Sequence, residues 1–178
     1  MNRKTLALFV AIVLAMGWAM VQPRTAQTAA EGKTPPVIVQ SFASKEIRAG
    51  DVWKVYLKAS DPEGQMKYIF ATITQPGANR YPVSIIRIKG ENQKELSGYI
   101  YLNTAPAAHV NFFNLTLTLS VSIKSKEGFF SQPAVFPLAF EVKSTQGAPP
   151  EGIFKEQNLG PISVSLETVS GGGGAQPD

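Results

Sequence analysis

The sequence predicts an all-β fold: a seven-stranded antiparallel sandwich of two sheets, with a candidate eighth strand near the C-terminus. From Pro36 to Lys143, short runs of alternating apolar and polar residues are separated by Gly, Pro and Asn, without a helical period. Turn signals recur about every 8–12 residues, a spacing typical of a two-sheet sandwich. An up-and-down barrel is the alternative, and seven strands disfavour it because simple closure favours an even count.

The longest strand pattern is "FFNLTLTLSVSIK", which predicts the sixth strand over residues 112–124. Six apolar residues alternate strictly with polar ones: Phe113, Leu115, Leu117, Leu119, Val121 and Ile123. Alternation gives a strand one buried face and one solvated face, whereas a helix would distribute the polar residues around its circumference.

The other six strands are predicted, in chain order, at "PVIVQSF" (36–42), "VWKVYLKA" (52–59), "MKYIFATIT" (66–74), "YPVSIIRI" (81–88), "ELSGYIYLN" (95–103) and "VFPLAFEV" (135–142). Alternation assigns core-facing residues in the second, fifth and seventh strands: Trp53, Val55, Leu57, Ala59, Leu96, Ile100, Leu102, Phe136, Leu138, Phe140 and Val142. Pro137 lies within the seventh strand and predicts an edge or a bulge there, because proline donates no ladder hydrogen bond.

The C-terminal region divides into three predicted parts. Residues 144–160 are rich in Pro, Gly and polar residues and are predicted to be a linker, and residues 170–178 a disordered tail. Between them, residues 161–169 form a strand pattern whose apolar positions are Ile162, Val164 and Leu166. This strand either pairs with an edge of its own sandwich or adds to the sheet of a neighbouring molecule. Pairing within the chain is favoured because closure then costs only loop entropy.

The N-terminus predicts an export signal over residues 1–30. "MNRK" supplies two cations, an apolar run follows from Leu6 to Met20, and "QPRTAQTAA" ends in small residues, which predicts cleavage after Ala30. The expected location is the periplasm, the cell surface or the exterior. An uncleaved anchor is the alternative, since the 17 residues from Thr5 to Val21 reach the lower end of the roughly 17–25 that span a bilayer. Membrane attachment is expected only in that case.

Charge and cysteine content exclude several classes of function. Three of the 17 basic residues leave with residues 1–30, so 14 remain against 13 acidic residues and the net charge is +1. That balance gives no support to nucleic-acid binding. The chain has no cysteine and one histidine, His109, and it lacks a G-x-S-x-G motif. We therefore expect no enzymatic activity, no cofactor and no disulfide.

Residues 36–143 carry a resemblance to a known group of modules. "A-S-D-P-x-G" from Ala59 to Gly64, the long sixth strand, a Gly128-containing turn and "Ser-x-Pro" from Ser131 to Pro133 are the matching pieces. They resemble the immunoglobulin-like modules of bacterial surface proteins and the wider cadherin-like and fibronectin type III-like sandwich group. The resemblance implies an immunoglobulin-like sandwich over residues 31–143, in which the second and fifth strands are neighbours. It implies no particular activity.

Asp61-Pro62-Glu63-Gly64 has two interpretations, a calcium site and a turn between strands. Asp61 and Glu63 are weak calcium candidates, because a site needs about six to eight oxygen ligands. The neighbouring loops bring four cations, Lys89, Lys94, Lys124 and Lys126, which would compete with the metal. The turn has its own mechanism, since Pro62 presets φ and Gly64 accepts a positive φ. We therefore predict a turn without a metal.

The candidate binding patch lies on the outward face of the second and fifth strands. If these strands are neighbours, as the resemblance implies, Tyr56, Tyr99, Tyr101, Lys54 and Lys58 share one solvent-facing surface. Tyrosine is enriched at interfaces and also stacks on sugars, although cross-strand pairing alone explains tyrosines on a sheet.

The sequence thus predicts an exported, non-catalytic binding or assembly module of the bacterial cell envelope or surface. Its partner is expected to be a protein or further copies of the chain. The alternatives are a subunit of a surface polymer joined by strand exchange and a carbohydrate-binding module that uses the tyrosine face.

Overall fold

The computed structural model describes residues 34–76, 81–104, 116–164 and 166. The predicted signal at residues 1–30, His109 and the predicted tail at residues 170–178 lie outside the described residues. The described part contains β1 (Val37–Ala43), β2 (Glu46–Ile47), β3 (Val52–Ser60), β4 (Met66–Thr74), β5 (Ser84–Arg87), a 3-10 turn (Gly90–Asn92), β6 (Glu95–Asn103), β7 (Thr116–Ser125), β8 (Ala134–Phe140) and β9 (Asn158–Pro161).

The strands form two sheets, so the prediction of an all-β fold is confirmed. One sheet has the order β1-β3-β6-β9 and the other the order β2-β8-β7-β4-β5. Pairing is antiparallel except for β2 with β8 and β6 with β9, which are parallel. One hydrophobic cluster contains the buried residues of both sheets, an arrangement compatible with a β-sandwich. The described residues include no helix long and apolar enough to cross a membrane.

The alternation in the sequence correctly predicts which side chains form the core. The apolar positions named above for the second and fifth strands are buried in β3 and β6, as are Leu117, Leu119, Val121 and Ile123 in β7. Phe113 and Leu115 of the predicted sixth strand lie outside the described residues. The indole N–H of Trp53 donates a 2.9 Å hydrogen bond to the carbonyl of Ser44, so the largest buried side chain is also satisfied.

Of two predictions for the seventh strand, one is wrong and the other agrees with the structure. Phe136, Leu138 and Phe140 are buried, but β8 ends at Phe140, and Val142 is 56% exposed. The prediction that Val142 faces the core is therefore wrong, because the chain leaves the sheet two residues earlier. Pro137 lies where predicted, on an open edge, since the two residues of β2 pair only with Ala139 and Phe140.

The turn between β3 and β4 explains the burial of Asp61, whose side chain is only 1% exposed. Its Oδ1 accepts the N–H of Glu63 at 3.0 Å and its Oδ2 accepts the N–H of Gln65 at 3.1 Å. Gly64 has φ +66°, as the turn requires. Among the described residues, no group of three or more His, Cys, Asp or Glu is placed to hold a metal ion. The carboxylate thus has partners in the turn itself.

We predict that Asp61→Ala lowers the free energy of unfolding by about 1–3 kcal/mol, because it leaves two backbone donors without their acceptor. Glu63→Ala, at an exposed position, is the matched control and should cost less than about 0.5 kcal/mol. Urea unfolding with calcium and with a chelator measures both. A calcium-dependent gain in stability that both variants lose would contradict the turn interpretation.

Candidate functional site

The structure brings the predicted tyrosine face together on adjacent strands. β3 pairs with β6, which places Tyr56 opposite Tyr99, Lys54 opposite Tyr101 and Lys58 beside the same row. The rings of Tyr56 and Tyr99 are tilted with centroids 5.5 Å apart, and the Nζ of Lys54 lies 4.3 Å from the centroid of Tyr99. The juxtaposition predicted from the sequence is therefore present.

The expectation that this face meets solvent is wrong at Tyr56, which is 3% exposed. Residues 144–160, predicted as a linker, run across the outer face of the four-stranded sheet. Phe154 packs on Tyr56 with centroids 5.7 Å apart, and the hydroxyl of Tyr56 donates to the carboxylate of Glu156 at 2.5 Å. Tyr99 and Tyr101 are half-buried, and of the five predicted patch residues Lys58 alone is exposed. The chain covers its own tyrosine face.

Backbone hydrogen bonds attach this segment to β6. The N–H of Lys155 donates to Oγ of Ser97 at 3.0 Å, and the N–H of Tyr99 donates to the carbonyl of Gln157 at 2.8 Å. The N–H of Ile162 then donates to the carbonyl of Tyr101 at 2.7 Å. The predicted C-terminal strand thus pairs within its own chain.

The paired residues lie earlier in the sequence than the predicted strand. β9 is Asn158–Pro161, whereas the strand was predicted at 161–169. Ile162 is buried in the core, and Val164 and Leu166 pack against it, so the apolar positions do face inward. Residues 165 and 167–169 lie outside the described residues.

The close approach of the segment requires a glycine at position 98. A Cβ on Gly98 would lie 2.4 Å from the carbonyl oxygen of Gln157 and 2.9 Å from Cγ of Leu159. The backbone of the segment therefore occupies the space that any other side chain would need. Gly98 interrupts the alternation of β6, and its role depends on a contact that the sequence pattern does not reveal.

A small polar cluster holds the covering segment over the rings. The Nζ of Lys54 donates to Oε2 of Glu156 at 2.9 Å, beside the Tyr56 hydroxyl on Oε1. Hydrogen bonds from Tyr56 and Lys54 lower the pKa of Glu156. The hydrogen bond to Glu156 raises the pKa of Lys54, and burial, followed by the hydrogen bond to Glu156, raises the pKa of Tyr56. From weakly acidic to weakly alkaline pH, Glu156 is therefore ionised while Lys54 and Tyr56 keep the protons that they donate to it.

A second surface lies on the outer face of the five-stranded sheet, and the sequence analysis did not identify it. We call it the aromatic patch: Tyr68, Phe70, Ile85 and Phe130. The ring of Phe70 meets Tyr68 and Phe130 edge-on, with centroids 6.4 and 5.3 Å apart, and Phe70 is opposite Ile85 in the pairing of β4 with β5. Phe130 is 48% and Ile85 58% exposed. Clustered, partly exposed apolar side chains of this kind are candidates for a contact site.

Cations surround the aromatic patch, and we call them its cationic rim: Lys67, Arg87 and Lys124. Lys124 Nζ lies 5.1 Å from the ring centroid of Phe130 and 5.8 Å from that of Phe70. Lys67 Nζ lies 5.2 Å from the centroid of Tyr68, which is itself opposite Arg87. The outward positions of β4, β5, β7 and β8 include no Asp or Glu. The aromatic patch therefore combines the exposed ring of Phe130 and two half-buried rings with positive charge.

The signal for the aromatic patch was present in the alternation. In "MKYIFATIT" the core residues Ile69, Ala71 and Ile73 leave Tyr68 and Phe70 on the opposite face. Alternation alone does not indicate whether that face binds a partner or is only solvated. Phe130, in the connection between β7 and β8, joins the patch through tertiary packing alone.

No family model matches the chain, and no curated protein matches it. The class of protein that the structure defines is an all-β protein of two sheets, one face covered by its own chain and the other bearing the aromatic patch.

We predict that Gly98→Ala lowers the free energy of unfolding by about 1–3 kcal/mol, because the covering segment must move away from the added methyl group. Hydrogen exchange of the Tyr99 amide, which donates to Gln157, should accelerate as well. Gly90→Ala is the matched control, since a Cβ there meets nothing within 4 Å. Equal effects of the two substitutions would show that the approach at Gly98 is not what limits docking.

We also predict a pH-dependent difference between the wild type and Glu156→Gln. The lowered pKa of Glu156 means that its contribution is present above its unfolded value, about 4.3, and is lost as the pH falls through the folded value. Because the carboxylate is largely exposed, the wild type should be more stable at pH 7 by at most about 1 kcal/mol. Urea unfolding at pH 7 and near pH 2 measures the difference.

Glu151→Gln, at an exposed position of the same segment, is the control for that experiment and should show no such dependence. A difference between wild type and Glu156→Gln that is the same at both pH values would contradict the assigned role of the carboxylate.

Proposed function

We propose that the protein is an exported, non-catalytic binding module of the bacterial cell envelope or surface, and that its aromatic patch contacts a partner protein. The observation that carries the proposal is the contrast between the two outer faces. The chain covers the tyrosine face with its own C-terminal segment but leaves Ile85 and Phe130 about half exposed. Clustered aromatic side chains together with an arginine are enriched at protein contact sites.

An immunoglobulin-like architecture is part of the proposal. The first, second and fifth predicted strands, β1, β3 and β6, share one sheet, and β4, β7 and β8 share the other. This division corresponds to strands A, B and E against C, F and G in the immunoglobulin fold. β5 pairs with β4, whereas its counterpart in constant-type domains joins the first sheet.

The N-terminal pattern of residues 1–30 supports a proposal of export, with the periplasm, the cell surface or the exterior as the proposed location. The absence of a catalytic role is proposed from the single histidine, the missing cysteines and the missing nucleophile motif. Both proposals leave an immunoglobulin-like surface module as the function that the chain supports best.

The two alternatives from the sequence receive less support. β9 pairs with β6 of the same chain, so strand exchange is not needed to complete the sheet. A sugar reader on the tyrosine face would need exposed rings, and Tyr56 is buried under Phe154.

We predict that a photo-crosslinking residue in place of Phe130 gives a discrete protein adduct in cells that produce the full chain. The matched control is the same residue in place of Lys58, which is exposed on the other sheet. Ile85→Thr should abolish the adduct while changing the free energy of unfolding by less than about 1 kcal/mol, because Ile85 is exposed and threonine suits strands.

The mass of the recovered chain also tests whether residues 1–30 are removed. The same adduct from both positions, or an adduct at Phe130 that survives Ile85→Thr, would contradict a specific contact through the aromatic patch.

A further inference from the structure

The charges of the cationic rim are unneutralised within the described part of the chain. Lys67, Arg87 and Lys124 make no ion pair with any described residue, and the two ammonium groups, those of Lys67 and Lys124, lie against aromatic rings instead. The ring contacts orient these cations without removing their charge. By contrast, Lys54 on the other sheet is paired with Glu156.

We infer that the aromatic patch recognises an acidic polypeptide segment, one that places carboxylates on the cationic rim and an apolar or aromatic side chain over Phe70 and Phe130. This inference rests on the proposed function and adds the chemistry of the partner. Complementary charge steers association and fixes the register of the contact. An apolar centre within a charged rim is the usual anatomy of a protein contact.

The patch fits a polypeptide better than an acidic glycan. Its exposed centre is Phe130 and Ile85, which have no polar atoms with which to bind sugar hydroxyls. The rings of Phe70 and Phe130 are inclined by 70°, so they do not form one flat platform for a sugar. Lys124 also lies near both rings, within 6 Å of each centroid.

Charge also argues against a second copy of the chain as the partner. In a two-fold contact the same patch faces itself, so the two cationic rims would be brought together. Like charges across an interface are repulsive. A contact of the patch with itself is therefore disfavoured, and a surface of opposite charge fits the cationic rim better.

The test measures binding of the full chain to a random copolymer of glutamate and tyrosine by fluorescence anisotropy. We expect Lys124→Glu to weaken binding by about tenfold or more and Lys124→Gln to weaken it less. Lys58→Glu makes the same change of charge on the other sheet and should leave binding unchanged. Phe130→Ser should also weaken binding, and raising the salt from about 50 to 500 mM should weaken it for the wild type. Thermal unfolding of each variant verifies that it is folded.

Equal loss in Lys124→Glu and Lys58→Glu, or no binding of the copolymer, would overturn the inference. The inference would be overturned in favour of an acidic glycan if polygalacturonate binds, the copolymer does not, and Lys124→Glu weakens the binding of polygalacturonate. A dimer in light scattering that Phe130→Ser dissociates would overturn it in favour of a second copy. If the copolymer fails while the crosslink at Phe130 forms, the proposed function stands and only the acidic character falls.

Discussion

The structure depends on how the free edge of β6 is closed. β3 protects one side of β6, and on the other side the backbone groups of Tyr99 and Tyr101 are paired with the C-terminal segment. Without β9, β6 would be an edge strand with unpaired donors and acceptors, and such an edge favours association with other chains. β9 pairs with that edge, and the residues before β9 bury Tyr56. The same C-terminal segment therefore protects the edge of β6 and covers Tyr56.

The outer faces of the two sheets differ in how far residues 144–160 cover them. On the four-stranded sheet, rings and a lysine are covered, hydrogen-bonded and paired with Glu156. On the five-stranded sheet, Phe130 and Ile85 remain about half exposed beside the half-buried rings of Tyr68 and Phe70. Composition alone did not distinguish these faces, since each offers aromatic residues beside Lys. What separates them is the path of residues 144–160, which crosses the outer face of the four-stranded sheet.

The strands were predictable from the sequence, because period-2 alternation is a local property that burial of one face enforces. The neighbour relation of β3 and β6 came from the resemblance and was confirmed by their pairing. The covering segment was not predictable in the same way. Its Pro and Gly content indicates irregular backbone and does not indicate where that backbone packs. The segment lies on the sheet through contacts such as that of Phe154 with Tyr56, which is 98 positions away in the sequence. The space that the segment occupies at Gly98 lies on another strand, β6. The sequence around Gly98 and the sequence of the segment therefore do not reveal this contact separately.

The parallel pairing of β9 with β6 has a consequence for the order in which the molecule is built. The partners Ser97 and Lys155 are 58 positions apart, and Tyr56 and Glu156 are 100 apart, so these contacts close long loops. The segment that completes the sheet is synthesised after β6, because it follows β6 in the chain. During synthesis, β6 therefore exists for a time as a bare edge beside an uncovered Tyr56, and an unpaired edge of this kind favours aggregation.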